Sequence, residues 1–289
     1  MKPESIRLAF RFFIFLGTFC SYESLNSGEA LKLIEKGILM DQIWQSLMMP
    51  NTLVQIPQGQ SIVSYKVGDV TGDHFPDFIY LTGTKQADSP SFLKDITLYI
   101  KYGRSNYIQK HTLSENMGFH PTIWLGDFTG DGIDDIFIVI DSGGSGGIIF
   151  AYIYSMQKGV MKEIFNSTKF NEEHSYQVQY ANQYKANIIS EYPSKKYTID
   201  LMFKGEEYLN EIYNPDGTLK QPIEGWVDPL GALYPVDYGR NGKYDLLGMQ
   251  QIAGRYHADG LGYVENLLSW DGNSFSVVRQ TVAIYGEDT

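Results

Sequence analysis

Two stretches of this 289-residue chain place oxygen-bearing side chains where a cation could meet them. Val67-Gly-Asp-Val-Thr-Gly-Asp-His-Phe-Pro-Asp77 and Leu125-Gly-Asp-Phe-Thr-Gly-Asp-Gly-Ile-Asp-Asp135 share the string Gly-Asp-x-Thr-Gly-Asp. Acids stand at the first, fifth and ninth positions of each loop, with a threonine hydroxyl at the third and a glycine at the fourth. Calcium takes six to eight oxygens, and ligands at alternating positions can converge on one centre while glycine permits the sharp bend. The expected ligands are Asp69, Thr71, Asp73, the Phe75 carbonyl and Asp77 in the first loop. In the second they are Asp127, Thr129, Asp131, the Ile133 carbonyl and Asp135, with Asp134 turned to solvent. Two carboxylates about 5 Å apart repel by roughly 3 kcal/mol at an effective dielectric near 20, so a divalent ion would relieve the loop. The alternative use of the same residues is a hairpin of Asx turns, in which the acids cap backbone amides. As in extracellular modules, calcium affinity on the order of 0.1 to 1 mM is expected.

The loops also act as a ruler. Asp69 and Asp127 lie 58 residues apart, a spacing typical of internal repeats. Val236-Asp-Tyr-Gly-Arg-Asn-Gly-Lys-Tyr-Asp245 keeps acids at the first and ninth positions, Asp237 and Asp245, with Asn241 at the fifth, and offers a weaker metal loop. It begins 110 residues after the second, close to two periods, and around residue 180 a strand-turn-strand pattern stands in register without the acids. Around each loop the sequence reads as four short strands between turn residues. This predicts an all-β protein: a four-bladed β-propeller, or an open propeller-like array of four-stranded blades, over residues 56–289. The third unit is expected to carry strands near 176–181, 186–191, 196–203 and 207–213.

These loops resemble the FG-GAP or VCBS repeats of integrin-type propellers and exported bacterial proteins, whose motif is similar to Asp-x-Asn-Gly-Asp-Gly-x-x-Asp. Thr71, Thr129 and His74 depart from it. The resemblance implies calcium in the hairpin between the first two strands of a blade.

Composition narrows the function classes. The 34 acidic and 23 basic residues give a net charge of -11, which disfavours nucleic acid and anionic lipid as partners. The acid excess fits either bound cations or simple solubility. A single cysteine, Cys20, excludes an intrachain disulfide and a thiolate zinc cluster. Residues 1–20 carry Lys2, Arg7 and Arg11 ahead of the apolar run 12–19, a signal-peptide-like pattern too short to cross a membrane comfortably. Export to the cell surface is expected, with no transmembrane segment after signal removal; Cys20 also admits a lipoprotein reading, against which Phe19 is a poor fit. Residues 21–55 read as a helical segment or linker ending at Pro50.

Enzyme-like signals are sparse. Asp141-Ser-Gly-Gly-Ser-Gly-Gly147 contains a Gly-x-Ser-x-Gly spacing, but a nucleophile elbow needs a helix after it and the sequence from Ile148 reads as a strand. The densest polar cluster is Arg255-Tyr-His-Ala-Asp-Gly260. In a propeller it falls on the face opposite the calcium loops. That face, with Trp226, Arg255, Tyr256, His257 and Asp259, is the candidate surface for a protein or carbohydrate partner. The expected role is non-enzymatic binding or scaffolding at the bacterial cell surface or spore. A hydrolase acting on polysaccharide or phosphoester with the same face is the alternative.

Overall fold

Asp77-Phe-Ile-Tyr-Leu-Thr-Gly-Thr-Lys85 carries apolar side chains on both faces, so burial favours an inner strand flanked by neighbours on each edge. Such strands set the architecture in the computed structural model, which describes residues 56–286 apart from positions 106 and 145. The signal-like segment 1–20 and the helical segment 21–55 lie outside the described residues.

Four antiparallel meanders follow in chain order. The first contains β1 (Ser61–Gly68), β2 (Asp77–Lys85), β3 (Phe92–Lys101) and β4 (Ile108–Thr112). The second contains β5 (Gly118–Gly126), β6 (Asp135–Asp141), β7 (Ile149–Gln157) and β8 (Val160–Asn166). Helix α1 (Ser167–Glu173) leads to β9 (Tyr176–Ala181), β10 (Lys185–Ser190) and β11 (Lys195–Asp200). A 3-10 turn, Met202–Lys204, and helix α2 (Gly205–Ile212) complete the third unit. The fourth is β12 (Glu224–Val236), β13 (Asp245–Ala253), β14 (Gly260–Trp270) and β15 (Phe275–Ala283).

The third unit corrects the expectation of a fourth strand at 207–213. Gly-Glu-Glu-Tyr-Leu-Asn-Glu-Ile places acids in the first turn, where they complement the helix dipole, and buries Leu209 and Ile212 on one side. That spacing belongs to a helix rather than a strand. Trp226, a residue of the candidate partner face, stands on β12.

Ladder pairing joins the meanders into two sheets, β1-β2-β3-β5-β6-β7-β8 with β4 on β3, and β11-β10-β9-β12-β13-β14-β15. Each sheet is continuous through only two residue pairs at its middle, Phe92 with Phe119 and Leu93 with Gly118 in one, Glu224 with Gln179 and Gly225 with Val178 in the other. Both junctions use a glycine because the backbone of a neighbouring strand passes too closely for a side chain. A Cβ at Gly118 would stand 2.3 Å from the Asp141 carbonyl oxygen, and one at Gly225 2.3 Å from that of Ala253.

Three apolar clusters stack the units. Ile79, Leu98, Ile136 and Tyr152 join the first meander to the second. Phe128, Phe137, Ile153 and Phe165 pack on Leu230, Leu233, Leu246 and Leu268 of the fourth. Val178, Ile188, Leu201 and Ile212 of the third pack on Ile252, Leu261 and Val264 of the fourth. The core therefore runs first, second, fourth, third. A buried polar layer accompanies the last contact: Tyr176 donates to Gln250 Oε1 at 3.0 Å, Asn266 Nδ2 donates to the same oxygen at 3.1 Å, and Gln280 Nε2 donates to Asn266 Oδ1 at 2.9 Å. Satisfied amides of this kind specify one register, since a slip would strand them.

Helix α1 begins at Asn166, whose side chain accepts from the amides of Thr168 and Lys169. Asn166→Ala should therefore cost about 1 kcal/mol or more in urea unfolding, because the cap and the contacts of its amide with Ser114 and Glu163 are lost together. An unchanged midpoint would remove the cap from the account.

Candidate functional site

In an antiparallel meander successive turns alternate between the two ends of the sheet. The turns β1–β2, β5–β6 and β12–β13 share one end of their strands, and these are the three acid loops. In the first, Asp69 Oδ1 accepts from the Gly72 amide at 2.7 Å and Oδ2 from the His74 amide at 2.8 Å. Asp73 accepts from the Phe75 amide at 2.9 Å, and Asp77 accepts from Val70 and, across to the turn after β3, from Gly103. The second repeats the scheme: Asp127 accepts from Gly130 and Gly132, Asp131 from Ile133, and Asp135 from Phe128 and Thr129. In the third, Asp237 accepts from Asn241 and Gly242, and Asn241 from Lys243. The Asx-turn use of these residues is thus realised in all three loops.

The loops are neighbours. Ile133 lies over Gly72, where a Cβ would be 2.5 Å from its Cδ1, and the Tyr244 amide donates to the Asp127 carbonyl at 2.8 Å. Asp134, expected to face solvent, instead sits partly buried beside the first loop, where a Cβ at Gly68 would be 3.3 Å from its Oδ2. Its carboxyl is pushed up by burial and then by the charges of Asp127 and Asp69.

The donors match calcium chemistry best in the second loop. Asp135 is almost fully buried and burial pushes its carboxyl up to about 6, against hydrogen bonds from Phe128 and Thr129 that oppose the shift. The Thr129 hydroxyl oxygen at the third position is buried without a hydrogen-bond partner among the described residues. An orphaned oxygen beside a carboxylate that resists ionisation is what a cation would correct. In the first loop burial likewise pushes Asp77 up, whereas for Asp69 burial is outweighed by the amides of His74, Gly72 and Thr71, which hold it down. Among the described residues no three acidic, histidine or cysteine side chains converge closely enough to form a metal cluster by themselves, so threonine and carbonyl oxygens would have to complete any site.

At the other end of the strands, the turn between β13 and β14 brings the remaining candidates together. Asp259, 1% exposed, is the hub. It pairs with Lys204 Nζ at 2.7 Å, accepts from the Tyr208 hydroxyl at 2.8 Å, the Arg255 amide at 2.9 Å and the Tyr180 hydroxyl at 3.3 Å. Burial pushes its carboxyl up, but Lys204, the Arg255 amide and Tyr208 outweigh it and leave it below the usual carboxylate range. Burial raises the hydroxyls of Tyr180 and Tyr208 far above the ordinary phenol value, so both remain donors. Arg255 lies over the Tyr208 ring at 4.6 Å, pairs with Glu211 at 2.7 Å, and reaches toward the exposed ring of Tyr256 at 5.9 Å. Beside it opens a groove of about 540 Å³ lined by Glu211, Ile212, Lys220, Pro222, Ile223 and Arg255. Trp226 and His257 meet edge to face at 5.1 Å. All five candidates of this face therefore lie in one region. Sequence reading missed Lys204, Tyr208 and Asp228, because each is distant in sequence and joins only through the 3-10 turn, α2 or the bend of β12.

Acid-loop hairpins at one end and a charge-locked turn at the other belong to an all-β protein of two antiparallel sheets. Among the described residues no helix is long and apolar enough to cross a membrane. The chain is 49% identical over 239 residues to YybI of Bacillus subtilis (strain 168), covering 83% of this chain and 91% of that protein. It belongs to the YybI family. The YybI C-terminal domain model matches residues 174–283, which coincide with β9–β15, the whole second sheet.

Proposed function

We infer that the chain is an exported, calcium-braced array of four-stranded blades, open rather than closed into a ring, with a binding or scaffold role at the bacterial cell surface or spore. The observation that carries this reading is the separation of labour between ends: acid loops with a shared pattern side by side at one, and a turn locked by Asp259 beside a polar groove at the other. Likeness to FG-GAP and VCBS repeats and the signal-like residues 1–20 support it from the sequence. The stacking order of the cores favours the open array, because a closed ring would seat the third blade between the second and fourth. Calcium at Asp127, Thr129, Asp131 and Asp135 would brace the hairpin rather than take part in chemistry, with the first loop similar and the third weaker.

The groove mixes Arg255, Lys220, Glu211 and Glu224 with Ile212, Pro222 and Ile223, a lining suited to a polar polymer with apolar patches, protein or carbohydrate, at the envelope. Two measurements test the reading. Calcium should raise the melting temperature and a chelator should lower it; coincident curves would defeat the brace. Cosedimentation with purified cell-wall material should fall severalfold in Arg255→Ala and Trp226→Ala, and equal retention by these variants and wild type would remove the groove as the binding surface.

A further inference from the structure

Asn241-Gly242, in the third acid loop, is the one Asn-Gly pair in the chain. The side-chain carbonyl carbon of an asparagine can close a five-membered ring with the backbone nitrogen of the next residue, and a glycine there opposes closure least because it has no Cβ. Both residues are exposed, Gly242 holds φ at +82°, and a Cβ on it would meet nothing within 4 Å.

The hydrogen bonds of the loop address the atoms of that ring closure. The Gly242 amide donates to Asp237 Oδ2 at 3.0 Å, so a carboxylate stands against the attacking nitrogen. The Asn241 amide donates to Asp237 Oδ1, also at 3.0 Å, and fixes the carboxylate in place. On the electrophile, Asn241 Oδ1 accepts from the Lys243 amide at 3.0 Å. That N–H meets the charge that develops on the oxygen, as a donor of an oxyanion hole does. Nδ2 lies beside Gly239, where a Cβ would be 3.3 Å away, so glycine leaves room for the departing nitrogen.

The other two loops show where the product fits. Asp73 and Asp131 stand at the same fifth position and accept from the amide two residues on at 2.9 and 3.0 Å, as Asn241 does. Asp69 and Asp127 accept from the amide after that residue, both at 2.8 Å, as Asp237 does. An aspartate at position 241 therefore enters a turn that two sister loops already build around one.

We propose that Asn241 is a site of self-modification, which the loop converts to aspartate through a succinimide. Asp237 Oδ2 takes the proton of the Gly242 nitrogen as that nitrogen bonds to Asn241 Cγ. The carbonyl π pair moves onto Oδ1, where the Lys243 amide stabilises it. Its return breaks the bond from Cγ to Nδ2, which leaves as ammonia with the proton from Asp237. Water then adds at Cγ and the bond to the Gly242 nitrogen breaks, giving the new carboxyl and restoring the peptide N–H. Asparagine and water become aspartate and ammonia, with no other reactant. Opening at the backbone carbonyl would instead lengthen the main chain by one carbon inside the hairpin that pairs Val236 with Asp245, so aspartate is favoured over isoaspartate. The chemistry does not depend on calcium. Only its consequence, a third loop with acids at the first, fifth and ninth positions, bears on the calcium brace.

The test incubates the full chain at neutral pH with chelator present, and peptide mapping by mass spectrometry reads asparagine, aspartate and isoaspartate at position 241 over time. Folded wild type should convert about 10-fold or more faster than Asp237→Asn, which keeps an acceptor for the Gly242 amide but no base. Its main product should be aspartate, whereas the same chain unfolded in urea should give mainly isoaspartate. Melting checks that Asp237→Asn is folded; if it is not, the product ratio of folded against unfolded wild type decides. Asn241 that persists in the folded chain while the unfolded chain converts, equal rates for wild type and folded Asp237→Asn, or isoaspartate as the main product of the folded chain would each overturn the proposal.

Discussion

With calcium chelated, the protein should lose about 3 kcal/mol of unfolding free energy as pH rises from 4 to 7, the reverse of the usual acid sensitivity of carboxylates. The cause is Asp135, whose carboxyl is raised from 3.8 to about 6 by burial beside Phe128 and Ile136. Below pH 3.8 both folded and unfolded chains carry the proton and no penalty arises. Between the two values the folded state holds a proton the unfolded chain has released, so stability declines with pH; above about 6 the folded chain must hold a buried anion. Two pH units at about 1.36 kcal/mol each give the magnitude, taken as an order of size. Asp77 and Asp134 are displaced in the same direction and add to the slope. The assignment is therefore made by difference. Asp135→Asn, which retains an acceptor for the Phe128 and Thr129 amides, should flatten the profile and exceed wild type in stability at pH 7.5 with chelator present. Calcium at tenfold the dissociation constant of the second loop should return about 1.4 kcal/mol more to wild type than to the variant, whose first loop is intact. Urea unfolding at pH 4.5 and 7.5, with and without calcium, measures all four quantities. Equal slopes for wild type and Asp135→Asn would refute the burial argument.

Asp259→Ala should be the most damaging single substitution at the opposite end, costing on the order of 3 to 5 kcal/mol. The loss is large because of what remains behind. Lys204, 17% exposed, would keep a charge without its partner, and the hydroxyls of Tyr180 and Tyr208 would face each other with no anion to bind. Lys204→Met should cost less, since Asp259 keeps the Arg255 amide and two tyrosine donors. If the ion pair is the main loss, the double variant Lys204→Met with Asp259→Leu should recover part of the cost of Asp259→Ala, and a double-mutant cycle reads the coupling. The pH dependence has the opposite sign to that of Asp135. Asp259 sits below its ordinary value, so its contribution is present above pH 3.8 and disappears as pH falls through the folded value. A cost under about 1 kcal/mol for Asp259→Ala would mean that the turn 254–259 is held by its backbone alone.

The hairpins were legible because their information is local. The spacing of Asp69, Asp127 and Asp237 marks three hairpins, and all three form at those positions with one scheme of amide capping. The acid-free turn near 180 also forms, with Gln183 and Tyr184 both at positive φ. Helix α2 was read as a strand because the i, i+3 spacing of Leu209 and Ile212 marks a helix only once those two side chains are known to be the buried ones. Helix α1 escaped for the same reason. Asp134 was misplaced because the arrival of the first loop beside it depends on the packing of two meanders.

The sequence by itself determined the hairpins, their acids and the all-β class, because strand alternation, turn chemistry and capping act over a few residues. Only the tertiary structure decided the stacking order of the units, the burial of Asp135, and the meetings of Asp259 with Lys204 and of Asp228 with His257. These depend on desolvation and on contacts between residues up to 55 positions apart in sequence, through which neutral spacing carries no signal.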